Sequence, residues 1–505
     1  MMTTPLERLH ELDRNARRAS NISSLLQWDQ ETFLPEKAIE GRADQLADIE
    51  GMVHDRTTDP ELGRLLNSLG STTDNPGGDE KLSALDRDFL RVMRLDYDRN
   101  TKIPKELAVA MARDEGLSQA AWVQARKAND FSAFAPHLSR MVDYAKKKAG
   151  YWGFAEQPYD GLLDGNERGM TEPLVDGLFT PLKKRLVSLV RRIGEKPQID
   201  KSFLHRDYPV DKQDAFGRSL MLDLGLDLGR GRLDLSVHPF TTTLGDDDIR
   251  ITTRYFSGNM LSGLFSIIHE TGHALYEQGF GPAIRPTSLA EGASMGVHES
   301  QSRLWENVIG RSRAFWEGRF PFLRDAFPAQ LGGVTAETFY RAVNVVEPSL
   351  IRVDADEVTY SLHIILRFEL ERKLFNGTLA VRDVPSEWNR AMKDILGIVP
   401  PNDAEGVLQD VHWSIGAFGY FPSYALGNIY GLQLWNAMRR DVPGVDGDLR
   451  NGRYQLPLEW FRQRIHEQGR RSPPADLVRS VCGESIDSKA FIDYLETKYT
   501  ELYGL

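Results

Sequence analysis

Residues 265–278, FSIIHETGHALYEQ, contain two histidines and a glutamate in the order His-Glu-x-x-His. On a helix, His269 and His273 would be neighbours with Cβ atoms about 5–6 Å apart. Both imidazoles could then reach one metal ion at about 2.0–2.1 Å. Glu270 would lie about 100° further round the helix, near the ion but not bound to it. That is where a general base for a metal-activated water is expected, so the spacing predicts a hydrolytic metal centre.

The apolar residues around this motif recur at helical spacing, which predicts the helix that the motif requires. His269 and His273 lie on one flank of the apolar stripe, and Glu270 lies nearly opposite it. A chance match remains the alternative for the motif taken alone. The stripe consists of Leu261, Leu264, Phe265, Ile268, Gly272, Leu275 and Tyr276.

A third ligand is needed, because a catalytic zinc usually has three protein ligands and one water. The nearest strong candidate is Glu299, in the segment HESQSR. On a helical wheel Glu299 shares a face with Ser302, Arg303 and Glu306, a pattern that is also typical of a solvated surface. His298 is the competing ligand, although its place at the edge of an apolar stripe favours a packed or ligand-orienting histidine. The residues alone leave both alternatives open.

Most of the chain has the periodicity of amphipathic helices. Residues 232–256 differ, because β-branched residues are dense there and the run 245–248, Gly-Asp-Asp-Asp, predicts a turn. We expect a small antiparallel sheet directly before the metal helix. An edge strand at this place could hold an extended peptide by main-chain hydrogen bonds, or the hairpin could only cover the core. Helices are predicted over 4–70, 80–150, 336–376, 404–440 and 456–505, and one long helix from Val297 to Trp316.

Composition limits the possible partners of this 505-residue chain. Its net charge of −11 disfavours nucleic acid as a partner. No run approaches the roughly 18 apolar residues of a membrane span, and charges occupy the place of a signal peptide's apolar region. The single cysteine, Cys482, excludes an internal disulfide and is predicted to be buried. These features predict a soluble, cytoplasmic protein with no nucleic-acid or membrane partner.

Several ordered motifs outside the metal helix resemble the carboxypeptidase Taq family of zinc metallocarboxypeptidases. The family's H-P-F, D-x-R-x-T, H-E-S, I-R-x-x-A-D and G-x-x-Q-D-x-H-W elements are matched in order. The segments LLQWDQETFLP and GYFPSYALGN are also similar, so the resemblance runs almost from end to end. The matching residues are 238–240, 248–252, 298–300, 351–356 and 406–413.

This resemblance implies a mainly α-helical, bundle-like single domain over residues 1–505, with a deep active-site groove and a small antiparallel sheet beside the metal helix. An N-terminal helical portion, about 1–200, would cover the groove, and about 201–505 would form the catalytic portion. The family usually forms homodimers. The implied activity is the release of single amino acids from peptide C-termini with broad residue preference.

The resemblance also assigns site residues. His269, His273 and Glu299 would bind one divalent ion per chain, Zn²⁺ by default with Co²⁺ able to substitute, and Glu270 would be the general base.

Donors to the developing oxyanion are expected from His412 and Tyr424, since more distant helical zinc peptidases place a similar pair, with Tyr420 as the alternative donor. In the simpler interpretation the two tyrosines are core aromatics and His412 is a buried, hydrogen-bonded histidine. His238, in the H-P-F element, joins the substrate-binding set.

A carboxypeptidase must also recognise a terminal carboxylate, and the planar guanidinium of arginine suits this task. Arg352 is the first candidate and Arg250 the second. The alternative is a structural ion pair for each, Arg352 with Asp354 or Asp356 and Arg250 with Asp248.

Two other functions remain possible from the sequence. A zinc oligoendopeptidase of related helical fold would share the metal site but lack a carboxylate anchor. A non-catalytic peptide-binding protein could carry a relic metal site, although it would have no need of Glu270.

Overall fold

The computed structural model describes residues 4–505, which form twenty-one α-helices and one small sheet. The mainly α-helical class is therefore confirmed. The first nine helices are α1 (Pro5–Thr32), α2 (Ile39–Thr57), α3 (Pro60–Ser68), α4 (Ala84–Lys102), α5 (Lys105–Ala128), α6 (Phe131–Trp152), α7 (Pro158–Asn166), α8 (Glu172–Gly194) and α9 (Val210–Leu224).

The sheet and the remaining helices follow α9. The strands are β1 (Gly231–Leu235), β2 (Thr241–Gly245) and β3 (Asp248–Thr253). The helices are α10 (Met260–Gln278), α11 (Met295–Arg303), α12 (Arg313–Ala326), α13 (Pro328–Leu331), α14 (Ala336–Ala342), α15 (Tyr360–Phe375), α16 (Val384–Leu396), α17 (Pro422–Asp441), α18 (Val445–Arg450), α19 (Gln455–Arg464), α20 (Pro474–Cys482) and α21 (Lys489–Tyr503).

The sheet lies where the sequence predicts it, immediately before α10, but it is not purely antiparallel. Its strand order is β1-β3-β2, with β1 parallel and β2 antiparallel to β3. The prediction of a purely antiparallel sheet is wrong, because residues 236–240 carry the chain past the place of β3 instead of turning it back alongside β1. The central place goes to β3, whose Ile249 and Ile251 are buried, and β2 is left at an edge.

One hydrophobic core extends through the described residues from Leu9 to Tyr503. Polar contacts add to it between the first helices and the later part of the chain. The indole of Trp122 donates to the carbonyl of Leu408 at 3.0 Å, and the hydroxyl of Tyr159 donates to Glu371 at 2.9 Å. Cys482 is buried, as predicted. No helix within residues 4–505 combines the length and the apolar character that crossing a membrane requires.

Two predicted helices are shorter than their patterns suggest. The helix predicted from Val297 to Trp316 is divided, because a π-helical segment, Leu304–Ile309, follows α11 and a turn precedes α12. The helix predicted over 404–440 begins only at Pro422, and the residues before it form a loop with a 3₁₀ turn at His412–Ile415. Both departures lie at the candidate site, where π-helical turns are common.

Glycines allow α11 to lie unusually close to its two neighbouring helices. A Cβ on Gly272 of α10 would stand 2.7 Å from the Cα of Ser302. A Cβ on Gly427 of α17 would stand 2.7 Å from Cγ of Glu299 and 2.9 Å from its Cβ. Real Cβ atoms do not approach so closely, so any larger side chain must push the helices apart.

We expect Gly427→Ala to destabilise the protein by about 1–3 kcal/mol, because the added methyl group overpacks the contact between α17 and α11. Gly447→Ala is the matched control, since a Cβ there meets nothing within 4 Å. Thermal unfolding, monitored by circular dichroism, measures the stability of both variants. A Gly427→Ala midpoint equal to that of the wild type would contradict the close approach.

Candidate metal centre

Three side chains from two neighbouring helices converge on one point. His269 and His273 come from α10 and Glu299 from α11, and their donor atoms lie within 4.8 Å of one another. Oε2 of Glu299 is 3.4 Å from Nε2 of His273 and 3.7 Å from Nε2 of His269. Tetrahedral ligands at zinc distances are separated by about 3.4 Å, so this donor set fits one such ion.

The protonation states of the three side chains suit metal binding. Burial lowers the pKa of His273 to about 3, so its imidazole is neutral at pH 7. Burial alone would lower the pKa of His269, but the carboxylates of Glu299 and Glu306 raise it above its ordinary value. Burial opposes the charged form of Glu299, yet Arg303 and both histidines hold the pKa of this carboxyl well below its ordinary value. An ion would therefore meet an ionised carboxylate and a neutral imidazole, and would displace at most the proton of His269.

Glu299 is buried, with 6% of its surface exposed, so the solvated-face alternative is wrong. Nε of Arg303 donates to Oε1 at 2.7 Å, and the hydroxyl of Ser302 donates to Oε2 at 3.0 Å. The polar face of α11 looks like a solvated surface in sequence because it is lined with charges. In the structure these charges neutralise one another inside the protein, as buried ions must.

Two more carboxylates hold the histidines in place. Oε2 of Glu306 lies 2.9 Å from Nδ1 of His269, which leaves Nε2 of that ring to face Glu299. His298 stacks on His273 with ring centroids 4.5 Å apart, and its Nε2 lies 2.8 Å from Oε1 of Glu277. His298 is thus a packed, hydrogen-bonded neighbour of the cluster, in line with the interpretation that the sequence favoured.

Glu270 projects from α10 towards the sheet and is buried. Its Oε2 accepts a hydrogen bond of 2.7 Å from the hydroxyl of Thr241 on β2. Burial raises the pKa of Glu270 above its ordinary value. A carboxyl that is fixed in orientation and has a raised pKa is suited to accept a proton near neutral pH.

A second cluster gathers the residues predicted to stabilise an oxyanion. The His412 ring lies 5.6 Å from that of Tyr420 and 6.5 Å from that of Tyr424, and the two tyrosine rings are 5.3 Å apart. Nδ1 of His412 is buried without a hydrogen-bond partner among residues 4–505, so the hydrogen-bonded alternative does not describe it. Burial lowers the pKa of His412 to about 4 and raises that of Tyr424 well above its ordinary value.

Arg352 is buried and its guanidinium faces Asp410 rather than the nearby aspartates of its own segment. Nε and Nη2 donate to the two oxygens of Asp410 at 3.2 and 3.0 Å. Arg367 donates to the same carboxylate at 2.7 Å. The ion-pair partners suggested by the sequence, Asp354 and Asp356, are therefore wrong, because the chain folds Asp410 onto Arg352 from 58 positions away.

The other two predicted substrate-binding residues lie at the sheet. Arg250 on β3 donates to both oxygens of Asp248 at 2.8 Å, as its structural alternative predicts, and its guanidinium stacks on Trp28 at 4.1 Å. His238 is exposed in the connection between β1 and β2, where its carbonyl accepts a hydrogen bond of 2.6 Å from Ser236.

A chain of contacts joins the two clusters. Arg303, which binds Glu299, also stacks its guanidinium on Tyr360 at 4.0 Å. Nη1 of Arg352 lies 3.2 Å from the hydroxyl of Tyr360, and its guanidinium is 5.3 Å from the ring of Tyr424. These contacts connect the metal-ligand cluster with the cluster of His412, Tyr420 and Tyr424.

Several residues that support this site are not predicted from the sequence. Glu167 is buried and accepts from the amide of Gly296 at 2.8 Å and from the hydroxyl of Ser294 at 2.6 Å, which fixes the start of α11. The sequence places Glu306 only on a helix face shared with Glu299, and Thr241 only within the predicted sheet region. These two signals do not reveal a partner that is distant in the chain.

We expect Glu306→Gln to weaken metal affinity about tenfold, because the imidazole of His269 loses the charge that orients and polarises it. Chelator competition on the purified protein measures the change. Glu484→Gln, at an exposed position, is the control. Equal affinities in the two variants would show that Glu306 does not act on the metal centre.

Comparisons with known proteins agree with this geometry. The family description Carboxypeptidase Taq (M32) metallopeptidase matches residues 8–499. Thermostable carboxypeptidase 1 of Thermus thermophilus is 42% identical, with 99% of each chain covered. Carboxypeptidase 1 of Bacillus subtilis is 40% identical, with 96% of each covered. The crystal structure of an M32 carboxypeptidase from Deinococcus radiodurans R1 aligns with a TM-score of 0.96 at 41% identity, covering 99% of this chain and 100% of that one.

The names of these relatives do not favour an oligoendopeptidase or a non-catalytic binding protein. The matches extend over nearly the whole chain, and they agree with a His-His-Glu cluster beside a buried glutamate. This chain belongs to the carboxypeptidase Taq (M32) family of metallopeptidases and is a metal-dependent carboxypeptidase.

Proposed function

We propose that this carboxypeptidase releases single amino acids from peptide C-termini with broad residue preference, and that Glu270 is its general base. The observation that carries the proposal is the burial of Glu270 beside the three converging donors, with Thr241 fixing its orientation. A purely structural metal site has no need of such a carboxyl.

His269, His273 and Glu299 are the proposed ligands of one divalent ion per chain. Two imidazoles and one carboxylate are a common zinc set that leaves a coordination position open. Zn²⁺ is the default ion, and Co²⁺ should substitute because it accepts the same donors. When bound, the ion would polarise the scissile carbonyl and make a water molecule more acidic.

Glu270 has two tasks in this scheme. It accepts the proton of the attacking water and then delivers it to the leaving amine of the C-terminal residue. The hydroxyl of Thr241 holds one carboxyl oxygen, so the other is available for the transfer. The raised pKa of Glu270 supports this role, because it lowers the cost of carrying the proton between the two steps.

His412 and Tyr424 are the proposed donors to the oxyanion, with Tyr420 as the alternative. The low pKa of His412 favours a neutral ring whose N–H can donate, and the high pKa of Tyr424 keeps its hydroxyl protonated. Removing one donor of this kind typically slows turnover by about 10²–10³-fold.

Arg352 is the proposed anchor for the substrate's terminal carboxylate, and Arg250 remains the second candidate. The proximity of Arg352 to Tyr424 supports the first choice, and Asp410 would hold its guanidinium in a fixed plane. Arg250 is committed to Asp248 and Trp28. His238 stays in the proposed substrate-binding set as an exposed side chain beside the sheet.

The peptide itself would lie along the edge strand β2, where main-chain hydrogen bonds are available. A cleft of about 660 Å³ runs along this edge. Its walls include Arg17 and Asn21 of α1, Thr241 and Thr243 of β2, and Glu277 of α10. This lining supports a division in which an N-terminal portion, about 1–200, covers a groove in a catalytic portion, about 201–505.

Assembly and location complete the proposal. The protein would act as a homodimer in the cytoplasm, as its resemblance to the family and its composition suggest. Size-exclusion chromatography with light scattering would measure the assembly directly.

We expect Glu270→Gln to lower kcat by at least about 10²-fold while the metal content stays at one ion per chain, because only the base is removed. Peptide hydrolysis measures kcat, and elemental analysis of the same preparation measures the metal content. A variant with near wild-type turnover would eliminate Glu270 as the base.

We expect Arg352→Lys to raise KM for peptides with a free C-terminus, because lysine cannot bind a carboxylate with two parallel hydrogen bonds. The same peptides with an amidated C-terminus are the control, and the preference for free over amidated peptides should shrink. A variant that loses activity on both equally would point to a structural ion pair with Asp410 instead.

A further inference from the structure

Arg168 is an arginine at a cavity next to the metal centre, and within residues 4–505 it has no ion-pair partner. It lies half-buried in the turn after α7 and lines a cavity of about 380 Å³. No carboxylate among residues 4–505 lies within ion-pair distance of it. Burial and the nearby guanidinium groups of Arg91 and Arg99 lower the pKa of Arg168, against the opposing effect of the carboxylates of Asp164 and Asp96.

The other arginines of this cavity differ, because each lies within ion-pair distance of a carboxylate. Arg99 pairs with Asp164. Arg470 pairs with Asp96 at 2.9 Å and with Glu291 at 2.8 Å. Arg91 lies 3.5 Å from Asp88. Among residues 4–505, Arg168 is thus the one arginine lining this cavity that has no carboxylate within ion-pair distance.

The backbone on both sides of Arg168 is fixed. The preceding residue, Glu167, is buried and accepts the amide of Gly296 at the start of α11. The amide of the following residue, Gly169, donates to Asp164 at 2.8 Å. Gly169 has φ of +84°, a conformation that glycine adopts without strain. The guanidinium is thus presented from a rigid turn, as a preorganised binding group requires.

This cavity is continuous with the cleft along β2. Both are lined by Arg99, Gly165, Glu291, His298 and Arg470. His298 in turn stacks on His273 at 4.5 Å. A peptide that lies in the cleft with its C-terminus at the metal centre could place an upstream side chain in the cavity.

We propose that the cavity at Arg168 is an anion subsite that takes a carboxylate from the upstream part of a peptide substrate. The inference rests on the proposed exopeptidase function. It deepens that function by adding a preference for peptides with an acidic residue at one fixed distance from the C-terminus. A free anion such as inorganic phosphate could occupy the same subsite, so the experiment must distinguish a free anion from a carboxylate of the substrate.

The first arm uses matched peptides that differ only in Glu or Gln at one upstream position, scanned from the second to the sixth residue before the C-terminus. We expect the wild type to prefer Glu at one or two adjacent positions by about fivefold in kcat/KM, mainly through KM, as a partly exposed ion pair would provide. Arg168→Gln should bring this ratio close to one, and Arg168→Lys should retain part of it. Arg192→Gln, at an exposed arginine on α8, should keep the wild-type ratio.

The second arm adds inorganic phosphate to the wild-type enzyme, so it does not depend on a variant that folds. Phosphate should inhibit cleavage of the preferred Glu peptide more than cleavage of its Gln partner. Binding of phosphate to the metal would instead inhibit both peptides alike.

The outcomes separate the hypotheses. A Glu preference that Arg168→Gln removes supports the substrate subsite. In a second outcome, phosphate raises the unfolding temperature of the wild type but not of Arg168→Gln, and the wild type shows no preference for Glu peptides. The cavity would then bind a free anion, and the proposal of a substrate carboxylate would be overturned. If the Gln peptides are cleaved but there is neither a Glu preference nor protection by phosphate, the anion subsite is overturned and the exopeptidase function stands. Absence of C-terminal cleavage of every peptide would refute the proposed function instead.

Discussion

The site depends on keeping the ionised carboxylate of Glu299 inside the protein. A buried, uncompensated carboxylate costs several kcal/mol, so the fold must surround it with opposite charge and hydrogen-bond donors. Arg303 and Ser302 supply part of this environment. The imidazoles of α10 supply the rest and complete a donor set for a divalent ion. The close helix contacts at Gly272 and Gly427 follow from the same requirement, because Glu299 must reach both histidines.

Hydrogen bonds from distant parts of the chain hold the reactive side chains in place. Glu306 comes from a π-helical segment, Thr241 from an edge strand and Glu167 from the turn after α7. Each of them fixes one element at the metal centre, so the geometry of the site is a property of several elements packed together.

Charge balance also connects the metal centre with its surroundings. Asp410 lies between Arg352 and Arg367. The other arginines that line the cavity at Arg168 each lie within ion-pair distance of a carboxylate. In a chain of net charge −11, a half-buried arginine without a partner stands out. The same rule that explains the buried pairs, that a desolvated charge needs a partner, therefore identifies the position where a ligand could supply one.

The sequence by itself determined the features that depend on local geometry. The helical period aligns His269, Glu270 and His273, and the ordered motifs identify the family, so the metal helix and the mainly helical class were predictable. The tertiary structure decided which distant residues meet. It buried Glu299, placed β3 between β1 and β2, and paired Arg352 with Asp410 instead of its neighbours. The physical reason is that periodicity records which face a residue occupies, whereas partners far apart in the chain are selected only when packing and charge neutralisation are satisfied together.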